Sequence, residues 1–132
     1  MFTYEYTTLR ELQEHADQSG LTLSEVVVRP EMETAEASET DVRALMASRL
    51  DVFRESVAAG LNDTGRSVSG LVGGDAAKLQ AQQALLLGPL AHKAAVYALA
   101  VSEANAKMFK VVACPTAGSC GIVPAVLMAA AE

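Results

Sequence analysis

The residue best suited to chemistry is Cys120, in the segment 113–124 (ACPTAGSCGIVP), where a turn delivers a thiol to the start of an expected helix. A helix N-terminus presents unpaired N–H groups and the positive end of the helix dipole, a setting that favours thiolate over thiol. Gly118 and Gly121 let backbone or a bulky ligand approach closely, and Pro124 falls in the first turn, where its missing N–H costs nothing. A thiolate so placed suits a metal or cluster ligand, and equally a nucleophile. Nucleophilic catalysis wants a base within reach, and the chain offers His15 and His92 alone. The first sits on an expected peripheral helix and the second near the start of an expected buried one, so both read as structural. Cys114 and Cys120 do not have the spacing of a zinc knuckle or a redox CxxC motif, and a pair of buried thiols is the plain alternative. Pyridoxal phosphate would need a Schiff-base lysine, and none of Lys78, Lys93, Lys107 and Lys110 lies in a context that suits one.

A second candidate is the stretch 62–74 (NDTGRSVSGLVGG), whose four glycines in thirteen residues are too many for a regular element and enough to shape a backbone loop. Asp75 follows it with a carboxylate suited to cap a new helix.

These segments need helices to position them. Thr8 and Glu11 form a capping box and Gly20 a stop, which predicts a helix from about Leu9 to Gln18. Ser24 is a candidate cap for a second short helix that Pro30 should end or kink, leaving the acidic stretch 31–39 as an exposed linker. Val42, Met46, Leu50, Phe53, Val57 and Leu61 recur at three-and-four spacing, which predicts one long helix over about 41–61 with Arg43, Arg49, Arg54 and Glu55 on its wet side. The helix opening at Asp75 should break at Gly88-Pro89. From Pro89 to about Lys107 one apolar seam runs through Leu90, Ala94, Tyr97, Val101, Ala104 and Met108. A second stripe of small residues runs through Ala91, Ala95, Ala98, Ser102 and Asn105, so this helix should be buried among others. Residues 110–114 are β-prone, and a last helix should open near Gly121. The fold class expected is mainly α: a helical, bundle-like domain with Gly-rich loops and at most one short strand. The final Ala-Ala-Ala-Glu has no stop signal, so the sequence reads as truncated.

At 132 residues, with 51% hydrophobic and 20% charged residues, the chain is globular and suits one small domain with one core. A net charge of −6 without a Lys/Arg cluster argues against nucleic acid. The acidic, polar start lacks the pattern of a signal peptide. Residues 111–131 carry no charge, but Pro115, Thr116, Gly118, Ser119, Gly121 and Pro124 interrupt them, which argues against a membrane span. A cytoplasmic location is expected.

Three segments, 66–79 (RSVSGLVGGDAAKL), 97–105 (YALAVSEAN) and 115–124 (PTAGSCGIVP), together resemble in order and spacing the alpha chain of iron-sulfur-dependent L-serine dehydratases. One Gly-rich loop is weak evidence, whereas three unlike motifs in register are specific. The resemblance implies a lyase of amino-acid catabolism and gluconeogenesis that converts L-serine to pyruvate and ammonia, with a [4Fe-4S] cluster as Lewis acid on the β-hydroxyl. It implies a beta chain or domain as partner and an oligomeric complete enzyme. Carried over position by position, Cys120 matches a cluster cysteine, while Cys114 stands where the family has a small residue and takes no ligand role. Ser69, Gly70, Gly73, Gly74 and Asp75 would line the substrate cavity, with Thr116, Gly118 and Ser119 near the cluster. The reading of these as loop-shaping glycines with a capping Asp75 stays open. The family's other cluster cysteines lie beyond Glu132, so this chain alone is expected to be inactive. The alternative is a non-enzymatic helical module that binds an anion or a partner.

Overall fold

A computed structural model describes residues 5–83 and 86–132. Among them are six α-helices and one short 3-10 turn: α1 Leu9–Ser19, α2 Leu23–Ala35, α3 Glu39–Asn62, α4 Asp75–Gln80, α5 Pro89–Ala106, the turn Ala117–Ser119, and α6 Ile122–Ala131. The chain divides into two compact units, residues 1–48 and 49–132, each with its own core. The single core expected from length therefore gives way to two, with α3 contributing its first part to one unit and its second to the other.

In the first unit, local capping fixes the helix starts. Thr8 and Glu11 make a reciprocal box at α1, and Gly20 closes the helix at φ 66°. Thr22, rather than Ser24, caps α2, with Glu25 as its reciprocal partner. Ser38 and Asp41 exchange the same pair of hydrogen bonds at the start of α3. Leu12 and Ala16 of α1 and Val26 of α2 form the small core, so α1 is less peripheral than its sequence suggests. Pro30 lies inside α2 without ending it, and the acidic stretch 31–39 is not an open linker: residues 31–35 complete α2 and Glu39 already opens α3. Proline forfeits one ladder bond, but a strong cap upstream and the helix-forming run Glu31, Met32, Glu33 downstream outweigh that loss.

In the second unit, Val57 of α3, Ala76 of α4, Ala100 and Val101 of α5, and Cys120 form the buried core, with Leu61, Tyr97, Val111 and Met128 packed around it. The α3–α5 crossing is close: a Cβ on Gly60 would stand 1.9 Å from the Ala100 carbonyl oxygen. The seam predicted for α5 is half right. Val101 and Ala104 are buried, but Leu90 and Met108 are exposed, and the buried face extends to Val96, Ala100 and Glu103, which the seam did not include. α4 stops at Gln80 rather than reaching Gly88; residues 84 and 85, within the predicted span, lie outside the described residues. The β-prone segment 110–114 forms no strand, because among the described residues there is no neighbouring strand to pair with. No described helix is long and apolar enough to cross a membrane.

Candidate functional site

The Gly-rich connection between α3 and α4 is a folded loop. The Ser67 N–H donates to the Val72 carbonyl at 2.8 Å and the Gly70 N–H to the Ser67 carbonyl at 2.8 Å, turning the chain at Gly70, whose φ is 73°. Arg66 donates to the Gly70 carbonyl at 2.9 Å. The loop then returns against its own start: a Cβ on Gly73, at φ 150°, would meet the Gly65 carbonyl oxygen at 2.1 Å. No side chain fits there, so glycine is a steric requirement.

Capping of α4 departs from expectation. The N-cap is Gly74, with φ 81° and no side chain to offer, and Asp75 is the first helical residue. The Asp75 carboxylate turns to Lys78, 2.9 Å away, and that hydrogen bond and charge hold it below the usual carboxylate range. The free amides are served from α5. Glu103, 1% exposed, accepts from the N–H groups of Gly74 at 2.7 Å, Asp75 at 2.6 Å and Ala76 at 2.9 Å. Lys107, one turn on, lies 4.0 Å from that carboxylate and 3.6 Å from the Asp63 carboxylate, and its ammonium donates to the Asp63 carbonyl. Sequence reasoning missed Glu103. The available signal was an acidic residue set among Ala100, Val101 and Ala104 on an otherwise apolar helix face, where a charge persists only if paired.

The second candidate segment is also held by local bonds. Ser119 Oγ donates to the Cys114 carbonyl at 2.7 Å, the Ser119 N–H reaches the Thr116 carbonyl at 3.3 Å, and the Thr116 and Ser119 hydroxyls lie 3.0 Å apart. Beyond this turn, Cys120 is 3% exposed and packs in the cluster with Val57, Ala76, Ala100 and Val101. Gly121, not Cys120, is the residue that precedes α6. A Cβ there would meet Ser102 Oγ at 2.8 Å and the Ala98 carbonyl at 3.0 Å, so this glycine lets the α6 entry lie directly on α5.

The predicted site residues differ in burial. Gly74 and Cys120 are both buried, and Cys120 shares its cluster with Ala76, two residues beyond Gly74. Ser69 and Gly70 stand at the exposed loop tip, and Thr116 and Gly118 are exposed on the other turn. Gly73 and Ser119 are half-buried, and Asp75 is engaged by Lys78. An open depression of about 510 Å³ borders the loop, with Thr64, Arg66, Gly73, Gly74 and Lys78 among its walls. It carries two cationic side chains. His15 lies in the first unit, with Nε2 3.1 Å from the Glu5 carbonyl oxygen.

An iron-sulfur cluster requires three or four thiolates. The chain has two cysteines, both free, and Cys120 faces apolar neighbours. Among the described residues no group of three or more His, Cys, Asp or Glu is placed to hold a metal ion. By themselves these residues do not fit a cluster.

Residues 18–132 match the family model described as "Serine dehydratase alpha chain". The probable L-serine dehydratase alpha chain of Bacillus subtilis (strain 168) is 38% identical over 130 residues, covering 96% of this chain and 43% of that protein. The L-serine dehydratase alpha chain of Peptoniphilus asaccharolyticus is 30% identical over 128 residues, covering 95% and 44%. L-serine dehydratase 2 of Escherichia coli (strain K12) is 34% identical over 131 residues, covering 94% and 28%. The chain therefore spans less than half the length of these relatives. No solved structure matches. With one family model covering most of its length, the chain belongs to the serine dehydratase alpha chain family.

Proposed function

We propose that this chain is the part of an L-serine ammonia-lyase that builds the substrate loop and supplies one thiolate, Cys120, to a [4Fe-4S] cluster whose other thiolates come from outside it. The observation that carries this reading is the convergence of all three sequence motifs on α5. Glu103 of the second motif binds the amides of Gly74, Asp75 and Ala76 in the first, and Ala98 and Ser102 of the second bed Gly121 of the third. Motifs scattered over 59 residues (66–124) thereby form one assembly, with Cys120 among the residues of its buried cluster.

The reaction removes the α-proton and the β-hydroxyl of L-serine as water, giving 2-aminoacrylate; its imine tautomer adds water and releases ammonia and pyruvate. In this reading the chain binds and orients. Arg66 and Lys78, on the wall of the depression, complement the substrate carboxylate, and Ser69, Gly70, Gly73, Gly74 and Asp75 shape the loop beside it. Thr116, Gly118 and Ser119 set the turn that leads to Cys120. The proposed partners are L-serine and a beta chain or domain, in a cytoplasmic oligomer where free thiols persist. Alone, the chain is proposed to be inactive.

The test is anaerobic iron-sulfide reconstitution of the chain, alone and with the rest of the alpha chain and the beta chain supplied from the Bacillus subtilis relative. Cluster absorbance and pyruvate formation from L-serine are followed. The expected outcome is a cluster and activity in the complemented sample alone, both lost in Cys120→Ala and kept in Cys114→Ala. A complemented sample with no cluster, or a Cys120→Ala variant that keeps it, overturns the assignment.

A further inference from the structure

The loop of residues 63–74 has two feet, one pinned by α5 and the other by its C-cap residue Lys107. At its return end Glu103 accepts three consecutive amide N–H groups, at 2.7, 2.6 and 2.9 Å. At its outgoing end Lys107 donates to the Asp63 carbonyl and lies 3.6 Å from the Asp63 carboxylate, whose Oδ1 in turn accepts from the Gly65 N–H at 2.9 Å. The two pinning residues are one helical turn apart, 4.0 Å between charged atoms, and their side chains are only 2% and 6% exposed.

A helix start normally takes its cap from a neighbouring side chain. Here none is available, because the loop folds so tightly on itself that Gly73 and Gly74 stand against Gly65 and Thr64. A buried carboxylate twenty-nine residues away replaces it. A buried ion pair adds little net stability over an apolar pair of similar size, so the pair is better explained by what it fixes. It fixes the loop, since each charge is spent on one foot.

We infer that Glu103 and Lys107 form a clamp on both feet of the 63–74 loop, and that Glu103 is a positioning residue for the amino-acid substrate of that loop. The inference rests on the reading of the loop as a substrate-binding surface. Without the clamp the loop keeps its turn at Gly70, held by its own bonds, but loses its fixed placement on α5. Groups that hold the substrate equally in its ground and transition states then lose part of their contact, which raises KM and leaves kcat nearly unchanged.

Two readouts test this. The first is backbone amide exchange by NMR in the 132-residue chain: Glu103→Gln accelerates exchange at Gly74, Asp75 and Ala76 by at least about tenfold, leaving α1 and α2 unchanged. Lys107→Gln does the same at Gly65 while Gly74 stays protected. The second is the kinetics of the complemented enzyme: Glu103→Gln raises the KM for L-serine about tenfold with kcat changed less than about threefold, and Glu103→Asp restores part of the loss. A cap with a merely structural role gives the opposite split, an unchanged KM with an apparent kcat reduced by the loss of folded protein, and that result overturns the inference. Should Glu103→Gln fail to fold, the wild-type chain decides: amides of Gly74–Ala76 that exchange as fast as those of the exposed loop tip overturn the clamp. If the complemented wild type does not act on L-serine, the substrate role falls with the proposed function, whereas the exchange readout still decides the clamp.

Discussion

Substituting Gly60 by alanine sets two physical effects of opposite sign against each other. Gly60 lies inside α3, where alanine is the better helix former by about 1 kcal/mol, so propensity alone predicts stabilisation. The packing argument predicts the reverse. The new Cβ would stand 1.9 Å from the Ala100 oxygen, 2.4 Å from its carbonyl carbon and 2.7 Å from its Cα, and contacts below 3.0 Å are not tolerated. All three atoms are backbone, so no rotamer change relieves the clash, and α3 and α5 must separate by about 1 Å. That separation loosens Val57, Ala100 and Val101, none more than 5% exposed. A gap of that size forfeits between a quarter and a half of each dispersion contact it opens. Taking about 3 kcal/mol for the overpacking and offsetting about 1 kcal/mol of propensity leaves a net loss of about 2 kcal/mol. For a unit of this size that lowers Tm by roughly 10 °C. Thermal melts followed by helical circular dichroism measure it, with Ala58→Gly, an exposed site on the same helix, as the propensity reference. Ala100→Gly should not rescue Gly60→Ala, because the obstructing atoms remain. A Gly60→Ala protein that melts at or above the wild-type temperature refutes the close crossing and the packing of the second unit that depends on it.

Two further outcomes are expected. Cys120→Ser should destabilise the second unit more than Cys120→Ala, by about 1 kcal/mol or more, because serine leaves an unpaired hydroxyl in an apolar cluster; equal melting temperatures would count against its burial. The capping boxes of the first unit should make its helicity acid-sensitive. Hydrogen bonds from the Thr7 and Thr8 backbone and side chains lower the Glu11 pKa, and those from Thr22 lower that of Glu25. With folded values below unfolded ones, this contribution is present above the ordinary glutamate range and fades as pH falls through the lowered values. Helicity monitored from neutral pH downward should therefore fall, and Glu11→Gln with Glu25→Gln should flatten that part of the curve.

What the sequence determined by itself is local. A capping box needs two residues three apart, and Thr8 with Glu11 and Gly20 set the ends of α1 almost to the residue. Amphipathic spacing placed α3, and Gly88-Pro89 placed the start of α5. The Gly-rich loop and the turn before Cys120 were visible for the same reason, since glycine and proline restrict or free the backbone at their own positions. Family membership, too, lay in the linear order of three motifs.

What only tertiary structure decided are interactions between residues far apart in the chain. Asp75 has the right chemistry for a cap, yet the α4 amides are taken by Glu103, because tight return of the loop through Gly73 and Gly74 excludes a local cap and α5 brings a carboxylate within 2.6–2.9 Å. Cys120 reads in sequence either as a helix-start ligand thiol or as a buried one, and its burial follows from Gly121 lying so close to Ala98 and Ser102 that the thiol is carried into the core. The β-prone run 110–114 finds no partner strand among the described residues, and the small residues of α5 sort into buried and exposed only once α4 and α6 pack against it. Spacing along a chain fixes which face a residue occupies; which face meets another helix, and at what distance, follows from the packing of elements that the chain brings together from far apart.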